Sequence, residues 1–277
     1  VGDITDTAHV AKTMQQFQVS SVIHFAAFSL VGESMTDPRA YYVNNTAGTL
    51  HLLDAMRIAG VKRIVFSSSA AVYGEPASIP IEEDSPLAPT SVYGRTKAII
   101  EGILQDYGAA YGLHSVSLRY FNAAGADPEG AIGEDHDPET HLIPLVLQAA
   151  SGRKSSISVF GTDYATADGT CIRDYIHVND LADAHVLALG SLEHQIQTIY
   201  NLGNGTGFSV QQIIETAEHV VGHAIPITLA GRRPGDPAIL VAGNKRACTE
   251  LGWKPQLADL ETIIRTAWKW EQHRPLQ

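Results

Sequence analysis

Three features of this 277-residue sequence predict a doubly wound α/β fold built on a parallel sheet. Short, continuously apolar runs at residues 21–27, 62–69, 116–122 and 198–202 read as strands covered on both faces. Stretches of helical periodicity separate them, and alternation of this kind is the pattern of crossover helices on a parallel sheet. The second run ends in three hydroxyls, Ser67-Ser68-Ser69, at the carboxyl end of a strand, where open α/β sheets bind ligands.

Each element has its own justification. Residues 7–18 place Ala8, Val10, Ala11, Met14 and Phe17 at helical spacing behind a capping Asp6. In the strand that follows, His24 reads as a core histidine, and Ala26 and Ala27 are small enough to let a ligand approach the backbone. Pro38 suits the first turn of a helix running to Gly60. Within it Asn44-Asn45 are poor helix formers, which fits either an asparagine that holds a loop or a ligand contact. A proline-rich crossing over residues 75–89 leads into a helix from Tyr93 to about Tyr111.

Beyond Asn122 the texture changes. Residues 123–140 and 161–170 read as loops, the first rich in Gly, Pro and acidic residues, so a sheet domain over 1–122 and a smaller lobe over 123–277 are predicted. In that lobe residues 141–150 and 180–189 read as helices and 156–160 as a strand. A turn at 203–207 precedes a helix from Ser209, and the elements near 174–202 could return to the first domain.

Composition narrows the function classes. A net charge of −11 and a pI near 5.5 oppose binding to a phosphate backbone, so nucleic acid is not an expected partner. Cys171 and Cys248 form neither a disulfide framework nor a metal-ligand pattern, which predicts a reducing cytoplasm and no metal. Neither a membrane span of roughly 18 apolar residues nor a basic-then-apolar leader is found, and no membrane partner is expected.

The chemistry is concentrated in Ser91-Val-Tyr93-Gly-Arg-Thr-Lys97. On a helix Tyr93 and Lys97 share a face, and a nearby ammonium favours the phenolate, so Tyr93 is a candidate base. A Tyr-x-x-x-Lys pair recurs by chance. Together with a hydroxyl, Ser69, at a sheet edge 24 residues earlier, it resembles the extended short-chain dehydrogenase/reductase superfamily.

Further phrases sharpen the resemblance: Phe66-Ser-Ser-Ser-Ala-Ala-Val-Tyr-Gly74, Arg119-Tyr-Phe-Asn122, Gly133-Glu-Asp-His136, Arg173-Asp-Tyr-Ile-His-Val178, Tyr200-Asn-Leu-Gly203 and the Arg232-Arg…Gly-Asp236 segment. In this order and spacing they resemble the UDP-glucose 4-epimerase family. The resemblance implies a Rossmann-type domain holding NAD, a UDP-hexose substrate, inversion at C4 through a 4-keto intermediate, and a homodimer pairing through residues 42–56 and 98–110. It makes Tyr93 the base, Ser69 a bridge to the sugar hydroxyl, and Lys97 a ribose contact. Asp3 and Ile4 match an adenine-side segment, Phe25 and Ala26 a loop over the cofactor, and Asn44, Ser67 and Tyr120 further cofactor positions. Asn122, His141, Leu142, Val159 and Phe160 match the UDP pocket. Arg173 and Arg233 would clamp the diphosphate and Asp236 the ribose, while Leu240 matches a position beside the C2 substituent. A smaller residue than tyrosine there implies room for N-acetyl sugars.

Three points depart from the family pattern or leave an alternative. Ser29 stands where some members have lysine. A dehydratase of the same superfamily would need an Asp-Glu pair after Ser69, where Ala70 and Ala71 stand; a non-catalytic dinucleotide-binding module is the other alternative. The chain opens on Val1-Gly2-Asp3 with no glycine-rich phosphate-binding turn. That predicts a fragment whose family counterparts carry roughly 50–60 further residues, and makes the activity of the chain as it stands doubtful.

Overall fold

The structure, a computed structural model, describes residues 2–194, 196–233 and 235–274. Its elements run α1 (Thr7–Gln16), β1 (Val22–His24), α2 (Val31–Thr36), α3 (Pro38–Tyr41), a π-helical turn (Tyr42–Ala47), α4 (Gly48–Ala59), β2 (Arg63–Ser69), a 3₁₀ turn (Ala70–Val72), α5 (Val92–Tyr111) and β3 (His114–Tyr120). They continue with β4 (Asn122–Ala124), α6 (Leu142–Ala150), β5 (Ile157–Phe160), β6 (Ile172–Arg173), β7 (Tyr175–His177), α7 (Val178–Ser191) and β8 (Gln197–Leu202). The last are β9 (Phe208–Ser209), α8 (Val210–Val221), β10 (Ile227–Ala230), β11 (Ile239–Leu240), α9 (Lys245–Glu250) and α10 (Leu260–His273).

The four predicted strands form one parallel sheet in the order β1-β2-β3-β8. Its apolar runs are covered twice. On one face Ile64 and Phe66 pack with Met14, Leu52, Leu53, Met56, Ile100 and Leu104 from α1, α4 and α5. On the other, Val65, Val116, Leu118 and Tyr200 pack with Leu181, Ala184 and Ala188 of α7 and with Trp253. Burying each such aliphatic side chain is worth about 1.5–3 kcal/mol, which is why the strands read as continuously apolar. Register sets the functional edge: Ser69 lies opposite Tyr120, and Tyr120 opposite Leu202, at the carboxyl ends.

A second core gathers Ile143, Val146 and Leu147 of α6, Val159 of β5, Ile213 and Ile214 of α8, and Ile263 and Ile264 of α10. Of its elements α10 was unread in the sequence, as were α2, β10 and the two-residue strands. The two-residue strands are too brief for a period to show.

Candidate active site

Helix α5 is placed against the sheet edge by specific local chemistry. Ser91 caps it, its hydroxyl accepting the Gly94 N–H at 3.0 Å, and Gly112 ends it in the left-handed region at φ 68°. Gly94 permits the approach: a Cβ there would stand 2.3 Å from the Ala71 carbonyl oxygen of the turn that follows Ser69. Gly74 closes that turn at φ 65°, where a Cβ would lie 2.0 Å from the Ala88 oxygen. These two glycines let Ser69 and Tyr93 face one space.

Ser69, Tyr93, Lys97, Ser67 and Tyr120 line a single cleft of about 730 Å³ with Phe25, Ala27 and Ser29. The Ser69 hydroxyl accepts the Ala71 N–H at 3.2 Å and faces the same cleft as the Tyr93 phenol. Ser67 and Tyr120 share a 2.5 Å hydroxyl–hydroxyl bond. The buried ammonium of Lys97 donates to the Ser67 carbonyl at 2.7 Å and lies 5.6 Å from the Tyr93 ring centroid.

Electrostatics correct one expectation. Burial drives the Tyr93 phenol well above the usual tyrosine range, the neighbouring Tyr120 adds to this, and the nearby Ser69 hydroxyl only partly offsets it. Burial also lowers Lys97 to about 8, against the opposing charge of Glu101. With its hydrogen bond directed at a backbone carbonyl, Lys97 does not by itself make the phenolate favourable.

The cleft adjoins a pocket of about 390 Å³, and the two share Asn122, His141, Arg173, Arg233 and Asp236. Leu142 and Phe160 line the pocket, and Leu240 lines the cleft. Arg233 stacks on Phe160, its guanidinium carbon 3.9 Å from the ring centroid. Arg173 is ion-paired with Asp236 and donates to the Pro237 and Ile172 carbonyls at 2.8 and 2.7 Å. The expected separate duties of Arg173 and Asp236 therefore start from a mutual pair.

Several positions fall elsewhere. Val159 does not line the pocket and packs in the lobe core, while Ile157, Ser158 and Phe160 of the same strand line it. Asp3 and Ile4 do not line the cleft: the Asp3 carboxylate accepts the Thr5 N–H and hydroxyl at 2.8 and 2.7 Å, and Ile4 packs beside Gly48. Phe25 and Ala27 face the cleft, and Ala26 between them does not line it. His24 is a core histidine, bonded to the Thr49 hydroxyl at 2.9 Å.

The loop-holding asparagine is Asn45 rather than Asn44. Fully buried in the π-helical turn, Asn45 accepts the Phe28 N–H at 2.8 Å, donates to the Phe28 carbonyl at 3.0 Å and reaches the Thr96 hydroxyl at 3.3 Å. Asn44 donates to Asn45 at 3.0 Å and does not line the cleft. The paired asparagines were visible, but the one-residue phase shift of a π-helix has no periodic signature.

Beneath the site lies a buried network that the sequence did not announce. Arg119 forms two bonds to Glu101, at 2.9 and 2.5 Å, and donates to the Tyr73 hydroxyl at 2.8 Å. Glu101 also accepts the Ser68 hydroxyl at 2.5 Å. The middle serine of the run is thus a structural anchor, while those on either side face the cleft.

A parallel sheet with serine, tyrosine and lysine converging at its carboxyl edge defines a nucleotide-dependent α/β protein of the short-chain dehydrogenase/reductase kind. The chain belongs to the NAD dependent epimerase/dehydratase family, which matches residues 1–203. Among its relatives the UDP-glucose 4-epimerase of Halalkalibacterium halodurans is 54% identical over 99% of this chain and 82% of that protein. The crystal structure of UDP-glucose 4-epimerase from Brucella ovis in complex with NAD superposes with a TM-score of 0.95 at 50% identity, covering 96% of this chain and 82% of that one. That of the Bifidobacterium longum enzyme in complex with NAD⁺ and UDP gives 0.93 at 41% identity, covering 99% and 82%.

Proposed function

We infer that this chain interconverts UDP-galactose and UDP-glucose by inverting C4, with NAD as the internal oxidant. The observation that carries this reading is the convergence of Ser69, Tyr93 and Lys97 on a cleft continuous with a pocket bearing Arg173 and Arg233. Relatives named UDP-glucose 4-epimerase, about half identical over nearly the whole chain, agree with it.

The residues present fit the cofactor. An ammonium has three donors, and the hydrogen bond of buried Lys97 to Ser67 uses one. The others suit the hydroxyls of a ribose, and Phe25 and Ala27 give the cleft an apolar wall. NAD supplies a reversible hydride acceptor there.

The chain's own groups handle protons and position. Tyr93 removes the C4 hydroxyl proton through or beside Ser69 and later returns it. Since burial keeps the phenol protonated in the chain alone, the base form depends on positive charge brought to the cleft. Arg233 and Arg173 hold the diphosphate by paired donors, with Asp236 exchanging its arginine for a ribose hydroxyl. A substrate fixed at its diphosphate leaves the 4-keto sugar able to turn over and present its second face.

Ala70 and Ala71 line the cleft directly after Ser69. Their methyl groups move no proton, so elimination of the dehydratase type is disfavoured. Supplying the purified chain with NAD and UDP-galactose and following the anomeric proton by NMR tests the reading: UDP-glucose should form. A dehydrated 4-keto product, or no conversion with NAD bound, would overturn it.

The chain acts as a homodimer in the cytoplasm on this reading. Of the apolar residues expected at the pairing face, Leu52, Leu53, Ile100 and Leu104 are core residues and Ile103 packs against them, while Ile99 is exposed. With Val43 and Leu50, exposed in the first of the two stretches, Ile99 offers the apolar surface. Both cysteines are unpaired, as a reducing compartment favours, and no helix among the described residues is long and apolar enough to cross a membrane. Sedimentation equilibrium reporting a monomer would remove the dimer.

A further inference from the structure

We propose that Glu134, His136, Glu139 and His141 form a site for one divalent transition-metal cation, Zn²⁺ by donor chemistry, at the mouth of the cleft. This goes beyond the epimerase reading and does not depend on it. One ligand atom from each of the four side chains lies within 4.8 Å of every other. A tetrahedral centre with bonds of about 2.0–2.2 Å sets neighbouring donors roughly 3.3–3.6 Å apart, so the Glu139 carboxylate, 4.0 and 3.9 Å from the two Nδ1 atoms, would close in slightly while Glu134, hydrogen-bonded to both, would open out. Two imidazoles with two carboxylates suit Zn²⁺ or Co²⁺, whereas Mg²⁺ and Ca²⁺ prefer oxygen throughout.

A second observation points to a ligand. The Glu139 side chain is only 4% exposed, yet its Oε2 atom has no hydrogen-bond partner. Its other oxygen accepts the Thr140 and His141 N–H groups at 2.7 and 2.8 Å, which fixes the carboxylate in place. A buried carboxylate oxygen without a donor is costly, and a cation bound beside this carboxylate, whose Oε1 lies 4.0 and 3.9 Å from the His136 and His141 Nδ1 atoms, would offset that cost. Glu134 already contacts both imidazole Nδ1 atoms, at 2.9 Å for His136 and more closely for His141.

The loop is also held from outside the cluster. Trp270 Nε1–H donates to the Glu134 carbonyl at 2.9 Å, and Lys269 to the Pro128 carbonyl at 2.7 Å. Asp135 pairs with Arg274. Helix α10 thus braces the backbone that presents the ligands, so most of the ordering is present before an ion arrives. A cation here would tie residues 134–141 together beside His141, which faces both the cleft and the pocket.

The test uses the full chain, dialysed against a chelator and titrated calorimetrically with Zn²⁺. One ion per chain should bind, and Co²⁺ should give the intense visible bands of a tetrahedral centre. His136→Ala and Glu139→Gln should each weaken binding at least about tenfold, the loss seen even when supporting groups around metals are removed. His136 is half-exposed, so its replacement leaves the fold intact if Glu139→Gln does not. At a hundredfold excess over the wild-type Kd, Zn²⁺ should raise the wild-type Tm by roughly 5–10 °C and that of the variants by about half as much or less. Unaltered affinity in His136→Ala, or absence of binding, would overturn the proposal.

Discussion

Lys97 donates to the Ser67 carbonyl at 2.7 Å while its ammonium stands 5.6 Å from the ring centroid of Tyr93, the residue it would have to activate. The i, i+4 spacing put both side chains on one face but could not say which acceptor the ammonium would choose. In a dry site a carbonyl at hydrogen-bond distance wins over a more distant neutral ring. Tyr93 is therefore held protonated, poised to respond to charge arriving with a ligand.

Tyr93→Phe removes the phenol that faces the cleft beside Ser69 and leaves Arg173, Arg233 and the pocket untouched. Turnover should fall at least about 100-fold, the usual scale for an acid/base group, with UDP-sugar affinity nearly unchanged. Near-normal turnover in steady-state assays would remove Tyr93 as the base.

The phenol's titration offers a separate check. Burial raises its pKa in the chain alone, so below that value the neutral form dominates. Positive charge in the cleft lowers it, and the ionised fraction at pH 9 should rise on NAD addition. Ultraviolet difference titration of wild type minus Tyr93→Phe reads this; an identical phenolate signal with and without NAD would contradict the electrostatic account.

Asn45→Ala breaks both hydrogen bonds to the Phe28 backbone and the one to Thr96. With each neutral bond worth about 0.5–1.5 kcal/mol and buried partners left bare, the cost should be about 2–4 kcal/mol. Amide exchange at Phe28 should accelerate, whereas Asn44→Ala should leave it nearly unchanged. Equal effects of the two substitutions would refute the assignment of loop-holding to Asn45.

His24 should make the fold acid-sensitive. Burial, with a smaller effect of Lys97, lowers its imidazole to about 4. Between there and its ordinary value near 6.5 the unfolded chain binds more protons, so stability rises with pH. Its contribution is complete above about 6.5 and is lost as pH falls toward 4, by at most about 3 kcal/mol. Urea unfolding at pH 7 and 4.5 should show a smaller loss in His24→Gln than in wild type; parallel losses would exclude His24 as a source.

The sheet was legible because strands buried on both faces leave long apolar runs, and the Ser69–Tyr93–Lys97 group because its spacing fits one helix facing one strand end. Which of Asn44 and Asn45 holds the loop was not legible, nor was the Arg119–Glu101 pair. Each is specified by a partner dozens of residues away in sequence, Thr96 in one case and Ser68 in the other. That Val159 packs in the lobe core while Ile157, Ser158 and Phe160 beside it line the pocket was not legible either, because which side chains of a short strand reach a pocket depends on its neighbours. The Glu134–His141 cluster lay in a segment that reads as loop, where no periodicity brings side chains together.

Arg119 and Glu101 supply the last prediction. Both side chains are buried, 3% and 6% exposed, and their two bonds are joined by those to Ser68 and Tyr73. Desolvating two charges offsets most of their attraction, so the pair as a whole adds little net stability. Removing one member is different: Glu101→Leu leaves a buried guanidinium uncompensated and should cost about 3–5 kcal/mol. Arg119→Met added to that change removes the orphaned charge and should recover much of the loss. Activity should follow a different course. Ser68 sits between Ser67 and Ser69, so both variants free the strand end that positions the cleft hydroxyls, and turnover should stay low in the double variant even where stability returns. Urea unfolding and steady-state kinetics on the two single variants and the double decide the matter. Additive stability losses would show that the pair is not acting as one unit, and full recovery of turnover in the double variant would show that Ser68 needs no anchor.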